Sequence, residues 1–229
     1  MTPIRETWTS ADRQHRILWG DCLEILPTLD TSEVAAVLAD PPYGLGDKWN
    51  GDGWKTDFGR LWDKGTPEWD RKPAVEAVAG CLKITCKHII WGGNYYWLPP
   101  TNAWLIWDKM QKHSGSECEM AWSDLDQPVR KFPLSRVEAY CHREYKEHPN
   151  QKPLPLIEWC LSFLPPGLIL DPFAGSCTVA VACARTGRKS VSIEIEEKYF
   201  RIGIERMERE AKRHPLLEQQ PLQQRRLLT

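Results

Sequence analysis

The sequence predicts an α/β fold in which a mostly parallel sheet carries helices on both faces. Short apolar runs alternate along the chain with longer segments of helical periodicity, and such alternation favours a parallel sheet. The length of 229 residues and the apolar content of 41% fit one domain with a substantial core. In chain order, the strand candidates are residues 16–19, 34–39, 88–91, 103–107, 168–170 and 191–195, and the helix candidates are residues 72–84, 153–164, 178–186 and 196–213.

The predicted domain spans residues 15–213, between an N-terminal arm at residues 1–14 and a flexible tail at residues 214–229 that is rich in Gln and Leu. An insertion loop is expected at residues 45–70, where tryptophans are interleaved with basic residues and glycines. No N-terminal stretch resembles a signal peptide, and no apolar run reaches membrane-spanning length. We therefore expect a cytoplasmic protein without a membrane partner.

The composition limits the metal and nucleic-acid chemistry that we expect. Eight cysteines occur without a C-x-x-C pair, a pattern typical of free and mostly buried thiols in a cytoplasmic protein. A metal site at Cys141, His142 and His148 is the alternative, and we expect no metal. The net charge of −1 indicates no strong overall attraction to phosphate, although basic residues gather at Arg130, Lys131, Arg136, His142, Arg143 and Lys146.

The tetrapeptide Asp40-Pro41-Pro42-Tyr43 directly follows the apolar strand candidate at residues 34–39. Open α/β sheets bind ligands at the carboxyl ends of their strands. The prolines restrict the backbone, so we expect the Asp40 carboxylate and the Pro41 carbonyl to be rigid acceptors with no competing local donor. An exocyclic amine of adenine or cytosine has two hydrogens to donate, and the Tyr43 ring offers a stacking surface. The tetrapeptide predicts a site for such a base; an ordinary Pro-Pro turn beside an N-capping acid is the alternative.

A second strand candidate leads into a glycine turn and a helix of small residues. The apolar residues 167–170 are followed by Asp171-Pro172-Phe173-Ala174-Gly175-Ser176-Cys177-Thr178. Gly175 allows a ligand to approach the backbone, and the helix N-terminus offers free N–H groups. The next strand candidate contains Glu194, where an acid suits two ribose hydroxyls. The full G-x-G-x-x-G spacing is absent, which argues against a pyrophosphate cofactor, and a nucleotide-dependent oxidoreductase is the alternative.

Together, these segments resemble the S-adenosylmethionine-dependent DNA amino-methyltransferases of the beta class, in which the catalytic tetrapeptide precedes the cofactor turn. His148-Pro149-Asn150-Gln151-Lys152-Pro153 resembles the His-Pro-Thr-Gln-Lys-Pro motif of that family, and Trp19-Gly20-Asp21-Cys22 resembles its Gly-Asp segment. Residues 91–95 and 104–109 resemble two further strands of the same domain. The likeness covers roughly residues 15–208 and implies a Rossmann-like methyltransferase fold with a circularly permuted motif order.

The resemblance also implies a role for each site residue, with S-adenosylmethionine as the cofactor and DNA with a flipped base as the substrate. Asp40, Pro41 and Tyr43 would hold the target base, and Pro42 would shape the turn. Asp21 and the Cys22 backbone would contact the cofactor adenine. Glu194 would bind the cofactor ribose. The residues that would close over the cofactor are His148, Asn150, Gln151 and Lys152. The residues that would surround its methionine part are Asp171, Phe173, Gly175, Ser176 and Thr178.

Two positions depart from the family pattern. Cys177 stands where a glycine is common, so we expect a bulkier side chain at the closest backbone approach, with an altered turn or cofactor affinity. Asn150 replaces a threonine and remains polar. Because the acids and the tetrapeptide are retained, the sequence predicts an active enzyme. A binding module without catalysis is the alternative.

The resemblance implies a target base and a mode of DNA recognition. A leading Asp in the tetrapeptide is the family's usual adenine form, so N6-adenine methylation is expected, with N4-cytosine methylation as the alternative. The recognition region at about residues 130–147 is too short for a separate domain, so we expect short or relaxed sequence specificity. The loop at residues 45–70 would close over a flipped base or stack on its neighbours; core and subunit contacts of its tryptophans are the alternative. A homodimer is a further implied partner.

Overall fold

The computed structural model describes residues 2–44, 74–84, 87–111, 116–141 and 151–213. Within these ranges, nine strands form a single sheet. The predicted loop at residues 45–70 and the predicted tail at residues 214–229 lie outside the described residues. The strands are β1 (Glu6–Thr9), β2 (His15–Trp19), β3 (Val34–Ala39), β4 (His88–Trp91), β5 (Leu105–Asp108), β6 (Cys118–Ser123), β7 (Arg130–Pro133), β8 (Leu168–Asp171) and β9 (Lys189–Glu194).

The helices follow the predicted periodic segments and add two short ones. None of the helices in the described ranges is both long enough and apolar enough to cross a bilayer. Short 3₁₀ turns lie at Leu26–Thr28 and Gly93–Tyr95. The α-helices are α1 (Cys22–Ile25), α2 (Val75–Cys81), α3 (Arg136–Cys141), α4 (Leu154–Leu161), α5 (Thr178–Arg185) and α6 (Glu197–Arg213).

The sheet order is β1-β2-β9-β8-β3-β4-β6-β5-β7. The five strands from β2 to β4 in this order are mutually parallel, whereas β6 runs antiparallel to both of its neighbours. The predicted α/β fold with a mostly parallel sheet is therefore confirmed. In the middle of the sheet, Val37 of β3 pairs with Leu170 of β8 and with His88 of β4. This register places the end of β3 directly beside the end of β8.

Helices cover both faces of the sheet, as predicted. Successive residues of a strand point to opposite faces, and β3 contributes to two separate clusters. Leu38 is fully buried with Leu156 of α4 and Phe200 of α6. Val37 is fully buried on the other side, in a cluster that contains Ala77 of α2. Because both faces are covered, ligands have access to the parallel strands at their ends.

The prediction of a loose N-terminal arm at residues 1–14 is wrong for the residues that form β1. This edge strand pairs antiparallel with β2, from Glu6 opposite Trp19 to Thr9 opposite Arg16. Its sequence, Glu-Thr-Trp-Thr, contains no apolar run, and its side chains alternate between half-buried and exposed. Such an edge strand escapes detection by apolar content alone.

The strands β6 and β7 and the helix α3 were also not predicted. β7 is an exposed edge strand with the sequence Arg-Lys-Phe-Pro. β6 has the sequence Cys-Glu-Met-Ala-Trp-Ser, in which Glu119 interrupts a short apolar stretch. The predicted recognition region at residues 130–147 begins with β7 and α3, and residues 142–147 lie outside the described residues. The basic residues Arg130, Lys131 and Arg136 are exposed in this region.

Candidate functional site

The ends of β3 and β8 open into one cavity of about 580 Å³. Residues 39–43 line it from the first strand, and residues 171–176 line it from the turn that follows the second. Glu194, at the end of β9, and Asp21, after β2, line the same space. The two sequence motifs, which are separated by more than a hundred residues, are thus brought together because their strands are neighbours in the sheet.

The expectation that Asp40 lacks a local donor is wrong. Its Oδ1 accepts a hydrogen bond from the Tyr43 hydroxyl at 2.6 Å, and its Oδ2 accepts one from Lys152 Nζ at 2.7 Å. Lys152 precedes α4 and approaches β3 from a segment that is distant in sequence, so the rigidity of the tetrapeptide did not reveal this contact. Each carboxylate oxygen has two lone pairs, so Asp40 retains acceptor capacity for a ligand amine.

The Tyr43 ring is fixed by a neighbouring turn. It stacks on Tyr95, with ring centroids 4.9 Å apart and an angle of 20° between the planes. Gly92 has a φ of +65°, and a Cβ built there would lie 2.0 Å from Cε1 of Tyr43. Glycine at this position therefore lets the ring lie against the backbone. Burial and the Asp40 carboxylate hold the pKa of Tyr43 well above its usual value, so its hydroxyl stays protonated as a donor.

The two prolines lie at a turn that is held from a second direction. The Tyr96 hydroxyl donates a hydrogen bond to the carbonyl of Pro42, and Ala74 N donates to the same carbonyl at 3.4 Å. These contacts come from the segments after β4 and before α2. These two hydrogen bonds hold the tetrapeptide in place at Pro42.

Lys152 also contacts Glu119, which in turn contacts Lys109, and the sequence analysis indicated neither contact. Its Nζ lies 3.1 Å from Glu119 Oε2, and Glu119 Oε1 lies 2.9 Å from Lys109 Nζ. We call Asp40, Lys152, Glu119 and Lys109 the charge quartet. Burial alone would raise the pKa of Glu119, but the charges of Lys152 and Lys109 outweigh it and lower that pKa to about 2. Glu119 is therefore ionised at any ordinary pH.

Two buried carboxylates lie at the other end of the cavity. Asp171 Oδ1 accepts a hydrogen bond from Phe173 N at 3.1 Å, and Glu194 Oε2 accepts one from Gly175 N at 2.6 Å. Burial raises the pKa of Asp171 to about 8 and the pKa of Glu194 to about 7. Acids that titrate near neutral pH in a cavity indicate a site that favours positive charge or hydroxyl donors.

The glycine turn is held from behind by a buried arginine that the sequence analysis also missed. Nη1 of Arg206, in α6, donates hydrogen bonds to Ser176 O at 2.5 Å, to Ser176 Oγ at 2.9 Å and to Thr178 Oγ1 at 3.0 Å. Ser176 Oγ in turn lies 2.9 Å from Gln151 Oε1. Arg206 lies on a mostly polar helix, so the sequence alone does not distinguish this buried arginine from an exposed one. Through these bonds it fixes the turn to α6.

The Cys177 side chain, expected at the closest backbone approach to the cofactor, packs away from the cavity. Its backbone is left-handed, with φ of 60° and ψ of 38°, and its side chain is fully buried. Sγ packs against Gly203 of α6, where a Cβ would lie only 2.4 Å from it. Ser176 and Thr178 line the cavity on either side of Cys177, whereas the thiol points to the opposite side. The thiol fits at this position because Gly203 has no side chain.

The third part of the cavity is formed by the turn after β2. Asp21 caps α1, because its side chain accepts a hydrogen bond from Leu23 N at 2.8 Å, and both Asp21 and Cys22 line the cavity. Of the predicted cofactor residues, His148 and Asn150 lie outside the described residues, and so does most of the alternative metal site. Within the described ranges, no group of three His, Cys, Asp or Glu side chains is arranged to hold a metal ion.

Comparisons with known proteins find relatives among DNA methylases. The DNA methylase family model N6_N4_Mtase matches residues 96–205. "Putative methylase YubD" of Escherichia coli strain K12 is 30% identical over 218 residues, which cover 84% of this chain and 89% of that protein. "DNA adenine methyltransferase YhdJ" of the same strain is 24% identical over 257 residues, which cover 84% of this chain and 82% of that protein.

A solved structure shares the fold. The crystal structure of the M1.HpyAVI-SAM complex superimposes with a TM-score of 0.56 at 20% identity, covering 84% of this chain and 98% of that chain. The Rossmann-like methyltransferase fold expected from the resemblance is confirmed, and this neighbour is a complex with SAM, the cofactor expected from the resemblance. Since the likeness to YubD spans most of both proteins, this chain belongs to the N6_N4 DNA methylase family.

Proposed function

We propose that this chain transfers a methyl group from S-adenosylmethionine to the N6 amine of adenine in DNA. The observation that carries the proposal is the shared cavity of about 580 Å³, which both the Asp40 tetrapeptide and the Gly175 turn line. Direct transfer needs donor and acceptor in contact within a space that excludes most water. Two strand ends that open into one cavity meet this requirement.

The residues at the turn end of the cavity fit S-adenosylmethionine. When bound, this molecule supplies a methyl group that is activated by a positively charged sulfur. The buried Asp171 carboxylate favours positive charge, and the Glu194 carboxylate suits ribose hydroxyls. The Gly175 backbone allows close approach, and Asp21 lies at the adenine end of the proposed site. These roles are part of the proposal.

At the other end, Asp40 orients the target amine and stabilises the positive charge that develops on its nitrogen. Its carboxylate is held in one orientation by Tyr43 and Lys152, so little reorganisation accompanies binding. The Asp40 side chain is 26% exposed, which gives the proton that leaves the methylated amine a route to water. The protein therefore needs no strong base and no activated nucleophile.

Adenine is proposed over cytosine for two reasons. The tetrapeptide begins with Asp, the usual adenine form among the proteins it resembles, and the relative YhdJ is named an adenine methyltransferase. The same acceptors would hold the N4 amine of cytosine, and the matching family model is named for both N6 and N4 methylation. N4-cytosine methylation is therefore the alternative function.

We also propose that DNA is held with modest, salt-sensitive affinity and short or relaxed sequence specificity. The exposed cations Arg130, Lys131 and Arg136 form the basic edge in the described residues, and Lys131 is already paired with Asp108 at 3.1 Å. The net charge of −1 offers no general attraction to phosphate. A homodimer, which would double the DNA-contacting surface, stays a prediction of the resemblance.

The test is transfer of a labelled methyl group into unmethylated DNA, followed by nucleoside analysis. We expect N6-methyladenine from the intact protein and at least a hundredfold slower transfer by Asp40→Ala. Asp30→Asn, which alters an exposed turn acid, is the matched control and should keep the full rate. N4-methylcytosine as the sole product would establish the alternative. Cofactor binding without transfer to any DNA would instead indicate a binding module.

A further inference from the structure

The charge quartet lies in surroundings that strengthen electrostatic interactions. The side chains of Lys152 and Lys109 are only 7% and 10% exposed. Their ammonium nitrogens lie 5.6 Å from the centroid of the Trp91 ring and 5.5 Å from that of the Trp107 ring, respectively. Charges interact more strongly in such partly dehydrated sites than in bulk water. A change of one charge in the quartet therefore acts strongly on a reaction at Asp40.

Strand pairing fixes the outer half of the quartet. Glu119 lies on β6 opposite Trp107 of β5, and Lys109 N donates a hydrogen bond to Glu117 O at 3.0 Å just beyond that pair. The sheet thus sets the distance between Glu119 and Lys109 independently of any ligand. Lys152, by contrast, comes from the segment that leads into α4, and it links this rigid pair to Asp40.

Lys152 remains charged although its side chain is buried. Burial would lower the pKa of Lys152, but the carboxylates of Asp40 and Glu119 outweigh it and hold that pKa well above its usual value. Lys152 is thus a permanent cation 2.7 Å from the carboxylate that orients the target amine. Alone, such a cation would oppose the growth of positive charge on the neighbouring nitrogen.

We infer that Glu119 and Lys109 are positioning residues that balance the charge of Lys152 beside the reacting nitrogen, an inference that rests on the proposed function. During transfer, a nitrogen–carbon bond forms and the carbon–sulfur bond breaks with its electron pair on sulfur. Positive charge therefore moves to nitrogen until its proton leaves to Asp40. Glu119 offsets the repulsion from Lys152, and Lys109 sets how much of the Glu119 charge is available for this purpose.

The test compares single and double variants in single-turnover methyl transfer at saturating DNA and cofactor. Glu119→Gln keeps the shape and leaves one excess positive charge, so we expect a rate about tenfold to a hundredfold lower, with KM for DNA changed less than about threefold. Lys109→Met leaves one excess negative charge and should raise the rate severalfold. The double variant restores neutrality, and its rate should return to within about fivefold of wild type.

A structural role would produce a different pattern. If the pair served only packing, the double variant would be as slow as Glu119→Gln or slower, and this result would overturn the inference. A slower Lys109→Met variant would overturn it as well, even if Glu119→Gln did not fold. Glu6→Gln, which removes a carboxylate from the exposed pair with Arg201, is the matched charge control and should react at the wild-type rate. Failure of the wild-type protein to methylate any DNA would overturn the proposed function and this inference together, whereas an active wild type with an unrescued double variant would overturn only the inference.

Discussion

Gly203→Ala is expected to destabilise the protein, although alanine favours helices. Gly203 lies within α6, where the change to alanine would by itself contribute about 1 kcal/mol of stability. The new Cβ would, however, lie 2.4 Å from Cys177 Sγ and 3.2 Å from Cys177 Cβ. Overpacking of this kind costs roughly 1–3 kcal/mol, and the severity of the contact places it near the upper value. The expected net loss is therefore about 2 kcal/mol.

A double-mutant cycle separates this contact from other effects of the substitution. Cys177→Gly removes the thiol and relieves a left-handed backbone, which costs a non-glycine residue about 1 kcal/mol. In the Cys177→Gly/Gly203→Ala variant, the alanine methyl occupies the space of the thiol. We expect its free energy of unfolding to lie within about 1 kcal/mol of wild type, which gives a coupling of roughly 2 kcal/mol.

Urea unfolding, followed by circular dichroism, measures all four stabilities. A Gly203→Ala variant as stable as wild type, or two single changes that add without coupling, would exclude a steric conflict between the new methyl group and Cys177. Binding of S-adenosylmethionine provides an independent readout. Because the thiol points away from the cavity, Cys177→Gly should change the cofactor affinity less than about twofold. A tenfold change would show that the cysteine does influence the cofactor turn.

Three further predictions concern charge and exposure. The folded-state pKa of Asp171, about 8, exceeds its usual value of 3.8, so wild-type stability should fall as pH rises between these values. Asp171→Asn should stabilise the free protein by about 1–3 kcal/mol at pH 8 in thermal unfolding, while weakening cofactor binding in titrations; an unchanged or lower stability would contradict this assignment. The pKa of Glu194 is about 7, so cofactor affinity should fall as pH drops below that value, and Glu194→Gln should flatten the profile measured by calorimetry. Trp97 is 99% exposed beside the Tyr95 stack, and Trp97→Ala should weaken DNA binding about threefold to tenfold in fluorescence anisotropy without changing cofactor affinity; equal DNA binding would exclude a base contact.

The sequence predicted the parts of the site that lie at the ends of apolar strands. Val34–Ala39 and Leu168–Asp171 are short, apolar and nearly free of polar side chains, so their ends and the motifs there were recognisable. Neighbouring positions in a parallel sheet follow from fold class, and the shared cavity follows from those positions. Local pattern was sufficient for these elements.

The contacts between segments distant in sequence were not predictable in this way. Lys152 reaches Asp40 across 112 positions, and Glu119 lies on a strand that has no distinct apolar pattern. Arg206 lies on a charged helix, where nothing in the sequence distinguishes it from its exposed neighbours. The direction of Cys177 depends on its left-handed backbone and on the space at Gly203, both of which arise only from packing.

The most direct test of methyl transfer within one shared cavity is a structure of the protein with a non-reactive analogue of S-adenosylmethionine and DNA that contains a flipped adenine. We expect both ligands in the one cavity, with the adenine N6 within hydrogen-bond distance of Asp40 and about 3–3.5 Å from the position of the methyl group. An adenine bound elsewhere, or separated from the cofactor analogue by protein, would contradict it.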